Sequence, residues 1–266
     1  MKDLLFANAD TDGVHGIDQR GYRISLLCRP VGDAPNQDSA AVLRPAAGCV
    51  VLVVADGMGG GPAGDAASRL AIEAMSAAVQ DALEQGLPLR TGILNGFEQA
   101  HDDVLSHIAG AATTLLAAEL QQDMARLYQV GDSTALVFGQ RGRLKQHTTS
   151  HSPVGYAVRS GILDEEAALT HEERHYVSNM VGIAPMSVEM GLPFRLARHD
   201  TLVLGSDGLF DNLSVDEVVE CARTGAIDAG VARLAALARQ RMFSQGEPDE
   251  PGKPDDLAII GLRLAP

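Results

Sequence analysis

Four apolar, strand-like runs in this chain each carry an aspartate at or beside one tip, and this pattern limits the available folds more than any other feature. They are Val50-Val51-Leu52-Val53-Val54-Ala55-Asp56-Gly57, Leu127-Tyr128-Gln129-Val130-Gly131-Asp132, Leu202-Val203-Leu204-Gly205-Ser206-Asp207-Gly208 and Pro254-Asp255-Asp256-Leu257-Ala258-Ile259-Ile260. Val50 to Ala55 is continuously apolar and rich in β-branched residues, the pattern of a strand buried on both faces. Carboxylates gathered at strand tips repel one another and resist desolvation. A hard divalent cation such as Mg²⁺ or Mn²⁺, which takes oxygen ligands, removes that conflict. A metal-dependent enzyme is therefore the first expectation.

Further strands are expected at Tyr22 to Leu27, Ser39 to Leu43, Thr113 to Leu120, Ala125 to Val130, Ala135 to Phe138, Thr201 to Leu204 and Leu257 to Leu264. Helical spacing runs through Leu70, Ala74, Ala78 and Ala82 and stops at Gly86, before Pro88; a second helix follows from Leu94 to Ile108. Val215 to Cys221, Ala229 to Met242 and a patch at Asp164 to Glu173 also read as helical. Meandering strands interrupted by helix pairs predict layered sheets under helices, an α+β fold rather than strict βαβ alternation. With 266 residues, 45% of them hydrophobic, and no linker or repeat, one domain spanning 1–266 is expected.

A net charge of −14 argues against nucleic acid or an anionic membrane as a partner. The longest apolar run, Cys49 to Ala55, is too short to span a bilayer, and Met1 to Phe6 lacks a signal-peptide core. Three cysteines without CxxC spacing form neither a disulfide framework nor a zinc site. A cytoplasmic, monomeric protein is the expectation.

The sharpest local motif is Asp56-Gly57-Met58-Gly59-Gly60-Gly61, either a metal-binding carboxylate at Asp56 with the Gly57 carbonyl as a second ligand or a glycine-rich turn with a solvated aspartate; the Gly-Lys-Ser/Thr ending of a P-loop is missing. Asp207 follows an apolar strand directly, whereas Asp211 and Asn212 suit a turn or helix cap, with Asn212 or Ser214 capping the helix near Val215. Asp255 precedes the last strand as a ligand or as a loop acid near Lys253, with Asp256 as the alternative ligand there. Asp132 is a ligand or an ordinary hairpin residue. Asn36-Gln37-Asp38-Ser39 is weak alone and gains weight only in combination.

Together with Thr113-Thr114-Leu115, these motifs resemble, in order and approximate spacing over nearly the whole chain, the bacterial branch of the type 2C metal-dependent protein Ser/Thr phosphatases. His151-Ser152, Val158-Arg159-Ser160-Gly161 and His171-Glu172-Glu173-Arg174 are similar to the family's mobile flap, about 147–193 here. The resemblance implies a four-layer αββα sandwich, two central antiparallel sheets flanked by helix pairs. It implies two Mn²⁺ or Mg²⁺ ions bridged by Asp56, with the Gly57 carbonyl, Asp207 and Asp255 as further ligands and Asp38 acting through water. Asp132 with Asp207 matches a third, weaker ion position. The implied reaction is hydrolysis of phosphoserine or phosphothreonine on proteins, opposing a Ser/Thr kinase, by a metal-bridging hydroxide.

Several positions depart from the family pattern. Relatives place a phosphate-holding arginine a few residues before Asn36; Asp33 stands near that place, leaving Arg29 upstream as the candidate. Gln37 replaces a glutamate, Met58 stands where some relatives carry a histidine, and Ser150 where an aspartate often precedes the His-Ser pair. The flap histidines His147, His151, His171 and His175 read as hydrogen-bonding groups.

A rival reading takes Asp10-Thr11-Asp12-Gly13-Val14 as the nucleophile motif of a haloacid-dehalogenase-like phosphatase, with Asp10 attacking phosphorus. Phe6-Ala7-Asn8-Ala9 is a poor strand to carry it, and the Asp56, Asp132 and Asp255 segments go unexplained. A catalytically silent phosphatase fold used as a binding module is the non-enzyme alternative. Cysteine phosphatase chemistry is excluded: Cys-x5-Arg needs arginine where Ala34, Ala55 and Ile227 stand.

Overall fold

The computed structural model describes residues 4–7, 14–19, 21–58, 63–244 and 252–264; Asp10 and the Gly59–Gly61 run lie outside these. In chain order the elements are β1 (Leu4–Ala7), β2 (His15–Gln19), β3 (Tyr22–Arg29), β4 (Asp38–Leu43), β5 (Cys49–Asp56), α1 (Gly64–Glu84) and α2 (Leu89–His107). Next come β6 (Leu115–Gln121), β7 (Met124–Val130), β8 (Thr134–Phe138), β9 (Leu144–His147), α3 (Pro153–Arg159), α4 (Glu165–Leu169), β10 (Glu189–Met190) and β11 (Phe194–Arg195). The chain continues through β12 (Thr201–Gly205), α5 (Asp207–Phe210), α6 (Val215–Ala222), α7 (Ile227–Phe243) and β13 (Leu257–Leu264).

The strands form two antiparallel sheets, ordered β1-β4-β5-β6-β7-β10, with β11 also on β7, and β2-β3-β13-β12-β8-β9. The two-residue side-chain period explains the uninterrupted apolar runs. In β5, Val50, Leu52 and Val54 enter the core between the sheets, while Val51, Val53 and Ala55 face α1 and α2. In β13, Ala258, Ile260 and Leu262 join the same central core, and Leu257 and Ile259 pack under α5, α6 and α7. Each sheet is thus covered on both faces, and the layers follow the expected helix–sheet–sheet–helix order.

Helix boundaries differ in places from the sequence expectation. The second helix begins at Leu89, right after Pro88, rather than at Leu94. The patch from Asp164 shrinks to Glu165–Leu169, and beyond it the Glu173 amide donates to His171 Nδ1 (3.1 Å), a local side-chain bond that competes with helix. Helix α3 was unexpected although its signal is present: Ser152 Oγ accepts from the Gly155 amide (2.9 Å), and Pro153 opens the helix. Of the two proposed caps for α6, Ser214 is the one used, in a reciprocal capping box with Glu217.

Candidate active site

Antiparallel register brings the polar strand tips to one end of the sandwich. Strand β4 starts where β5 stops, so Asp38 lies directly opposite Asp56. Like charges across a strand pair repel, and the surrounding groups hold them there. Ser206, at the end of β12 in the other sheet, donates from Oγ to Asp38 Oδ2 (2.6 Å) and accepts from the Ala258 amide (3.0 Å). Asp256 accepts from the Val31 amide through Oδ1 (2.7 Å) and from the Gln37 amide through Oδ2 (2.6 Å). Both oxygens of Asp256 therefore pin the β3–β4 loop that leads into Asp38, while Asp255 faces the other acids.

Asp56 is fixed by its backbone. Its amide donates to Thr114 Oγ1 (3.0 Å), and its carbonyl accepts from Thr113 Oγ1 (2.9 Å) and the Thr114 amide (2.8 Å). Gly57 sits against the first turn of α1, where a Cβ would fall 2.1 Å from the Gly64 carbonyl oxygen; no side chain fits. The Thr114 and Ser133 hydroxyls are 2.7 Å apart and tie the β7–β8 turn, with Asp132, to the same place.

A second knot joins α5 to the loop before β13. Asn212, fully buried, donates from Nδ2 to the Gly208 and Lys253 carbonyls (both 2.9 Å) and accepts from the Lys253 amide (3.0 Å). The Lys253 ammonium so placed touches Asp207 closely and reaches Asp211 at 3.0 Å and Asp255 at 2.9 Å. Arg174 also approaches Asp211, at 3.9 Å. Among the described residues no three His, Cys, Asp or Glu side chains are gathered as a metal cage. Three carboxylates, Asp207, Asp211 and Asp255, meet on Lys253.

Six acids thus share one end of the molecule: Asp38, Asp56, Asp132, Asp207, Asp211 and Asp255. Burial first, then Asp207 and the other acids, holds Asp38 and Asp56 well above the ordinary carboxylate range, although Ser206 opposes the shift at Asp38. Burial, with Asp207 and Asp211, pushes Asp132 up to about 8; burial, with Asp207, pushes Asp211 up to about 6. Asp255 is raised by burial and Asp207 against the pull of Lys253. Burial opposes the charge on Lys253, yet Asp207, Asp211 and Asp255 outweigh it and keep the ammonium above the usual lysine range. Such a cluster is ionised in full only when cations neutralise it, and its all-oxygen donors suit a hard divalent ion.

Arg29 ends β3 opposite Leu257, at the same end of the sandwich, two residues along from Asp255. A cleft of about 310 Å³ opens beside the acids, lined by Asp132, Asp207, Asp211, Arg174, Ser152 and Val158 among others. Its outer wall is the segment carrying α3 and α4, and His151 fastens that segment down. The ring accepts at Nδ1 from the Gly131 amide (3.2 Å) and Asn179 Nδ2 (2.9 Å), while Nε2 faces the Glu189 carboxylate (3.2 Å). The expected hydrogen-bonding role holds for His151 and, through the Glu173 amide, for His171. Missed in the sequence were Ser206, Asp256 as a brace, Asn212 as the anchor of Lys253, and the contacts of Lys253 with Asp207 and Asp211. Lys253, one residue before the Pro254-Asp255-Asp256 run, was the legible signal among them.

This end of a four-layer sandwich, with acids from both sheets, is the architecture of the type 2C phosphatases, and comparison with known proteins agrees. The family model "Protein phosphatase 2C" matches residues 30–239. The serine/threonine phosphatase stp of Listeria monocytogenes is 30% identical over 203 residues, covering 71% of this chain and 79% of that one. The structure of the S. agalactiae serine/threonine phosphatase matches with a TM-score of 0.75 at 26% identity, covering 92% of this chain and 100% of that one. A structure of the catalytic domain of the phosphatase PstP in complex with two manganese ions shares the fold, with a TM-score of 0.69 at 24% identity over 92% of this chain and 99% of that one. The chain belongs to the protein phosphatase 2C family.

Proposed function

We propose that this protein is a metal-dependent phosphatase that hydrolyses phosphoserine and phosphothreonine esters on proteins. The observation that carries this reading is the convergence of six buried or half-buried aspartates, drawn from both sheets, at one end of the sandwich beside an open cleft. Asp56, the Gly57 carbonyl, Asp207 and Asp255 would hold two Mn²⁺ or Mg²⁺ ions, with Asp38 acting through water; Asp132 with Asp207 marks a third position. Bound there, divalent ions lower the pKa of a water molecule and neutralise phosphoryl oxygens.

The chain's own groups do the positioning. Thr113 and Thr114 fix the Asp56 backbone, Ser206 locks Asp38, and Asp256 holds the loop between Arg29 and Asp38. Arg29 is assigned to the substrate phosphate. Residues 147–193 act as the flap over the cleft, within one catalytic domain spanning 1–266. Among the described residues no helix is long and apolar enough to cross a membrane. A monomer working in the cytoplasm, opposing a Ser/Thr kinase, completes the proposal.

The test is phosphate release from p-nitrophenyl phosphate and from phosphoserine and phosphothreonine peptides, with Mn²⁺ or Mg²⁺ and again with chelator. Turnover that requires the cation is expected. A folded protein inactive on every substrate with either metal refutes the proposal and favours a silent binding module. Metal-independent turnover abolished by Asp10→Asn would favour the rival nucleophile.

A further inference from the structure

We propose that Lys253 is a built-in third cation, so that this chain binds two divalent ions and its own ammonium fills the position a third ion would take. The inference rests on the metal-dependent reading above and refines it. Its starting point is geometric: the Lys253 ammonium donates to Asp207 and lies 3.0 Å from an Asp211 carboxylate oxygen and 2.9 Å from one of Asp255. Lys253 therefore meets Asp207, which lines the same cleft as Asp132, the other acid of the pair that marks the third position.

The lysine is placed, not swinging. Its amide and carbonyl are both bonded to the fully buried side chain of Asn212. It lies one residue before the Pro254-Asp255-Asp256 run, so the segment that presents Asp255 presents the cation too. Charge points the same way. Two divalent ions, the Lys253 ammonium and the Arg174 guanidinium at 3.9 Å from Asp211 together offset the six acids when all are ionised. A third divalent ion would overshoot that balance and would meet the ammonium at close range, where like charges repel. A covalently attached charge cannot be lost to a chelator or to metal starvation, so the positive charge that Lys253 brings to this site is permanent.

The test counts Mn²⁺ ions on the full chain, stripped with chelator and titrated by calorimetry and by the electron paramagnetic resonance of free Mn²⁺. Wild type should bind two ions. Lys253→Met should bind a third, at least about tenfold more weakly than the first two, and Lys253→Arg, which keeps the charge, should return to two. Circular dichroism reports folding, and Lys253→Gln is the second neutral variant should the methionine chain misfold. Three ions on wild type overturn the proposal, as do two on both neutral variants. Two ions bound about tenfold more tightly in the neutral variants would show a lysine that competes with the metal pair, and would overturn it as well. If wild type binds no ion, the metal-dependent reading itself fails, an outcome distinct from the others.

Discussion

Adjacent aspartates with opposite duties offer the sharpest test of the site. Asp255→Asn should abolish tight metal binding while sparing the metal-free fold; Asp256→Asn should do the reverse. Asp256 accepts two amides of the β3–β4 loop at 2.7 and 2.6 Å from a buried position. Hydrogen bonds to a charged group contribute about 1.5–3 kcal/mol each. The amide side chain keeps one acceptor but turns an NH₂ toward the other backbone N–H, so about 3 kcal/mol should go. For a chain of 266 residues that corresponds to a fall in Tm of roughly 6–12 °C. Asp255 instead faces Lys253 and the other acids. Losing a unit charge about 4 Å from a cation, at an effective dielectric constant of about 20, costs on the order of 4 kcal/mol, or about a thousandfold in Kd. Differential scanning fluorimetry with chelator and Mn²⁺ calorimetry read the two effects separately. If Asp256→Asn weakened Mn²⁺ binding a thousandfold without lowering the metal-free Tm, the assignment of the two residues would be reversed.

Three other outcomes are expected. Asp207→Asn should cut turnover on p-nitrophenyl phosphate by at least about a hundredfold while circular dichroism stays unchanged; full activity would remove Asp207 from the site. Gly208→Ala should lower Tm and weaken Mn²⁺ binding together, because the new Cβ would fall 1.9 Å from the Asp256 carbonyl oxygen; overpacking of this kind costs roughly 1–3 kcal/mol or more, and an unchanged melting curve would contradict it. In chelator, thermal stability should fall as pH rises from about 4 to 8. Asp132 at about 8 and Asp211 at about 6 lie above their ordinary range, so the folded chain binds more protons than the unfolded one; their stabilisation is present at low pH and lost through those values. Saturating Mn²⁺ should reverse the trend, and a metal-free melting temperature that rises over that window would refute it.

The fold was legible because each layer leaves its own period in the chain. Continuous apolar runs at Val50–Ala55 and Leu257–Leu262 mean strands covered on both faces, and the structure divides their side chains between the central core and the helix layers. Of the elements missed or misjudged, β1, β2, α2 and α5 lie elsewhere in the chain, while α3, the short α4 and the short strands β10 and β11 lie between β9 and β12. There local side-chain bonds decide the path, among them Ser152 capping α3 and His151 meeting Asn179. Such bonds leave no period, and the hydrophobic pattern carries no trace of them.

The candidate site divides along the same line. Asp56, Asp132, Asp207 and Asp255 were legible because a charged residue at the tip of a doubly buried strand has little packing purpose. Their supports were not, since Ser206 and Asn212 act on residues far away in the chain, Asp38 and Lys253 respectively. Asp256 shows the difficulty most clearly. In sequence it is a second acid beside the first, and composition cannot separate them. Side chains alternate in direction along an extended chain, so two neighbours just before β13 serve opposite clients, Asp255 the acid cluster and Asp256 the loop amides. The brace is itself an acid in an acid cluster, and it adds to the repulsion at Asp38 that the site must overcome. That cost is tolerable only because its two oxygens are consumed by backbone donors, which a neutral residue would satisfy less well. An acidic pair flanked by a lysine is thus a brace, a ligand candidate and a counter-ion in four consecutive positions, and only the path of the backbone distinguishes them.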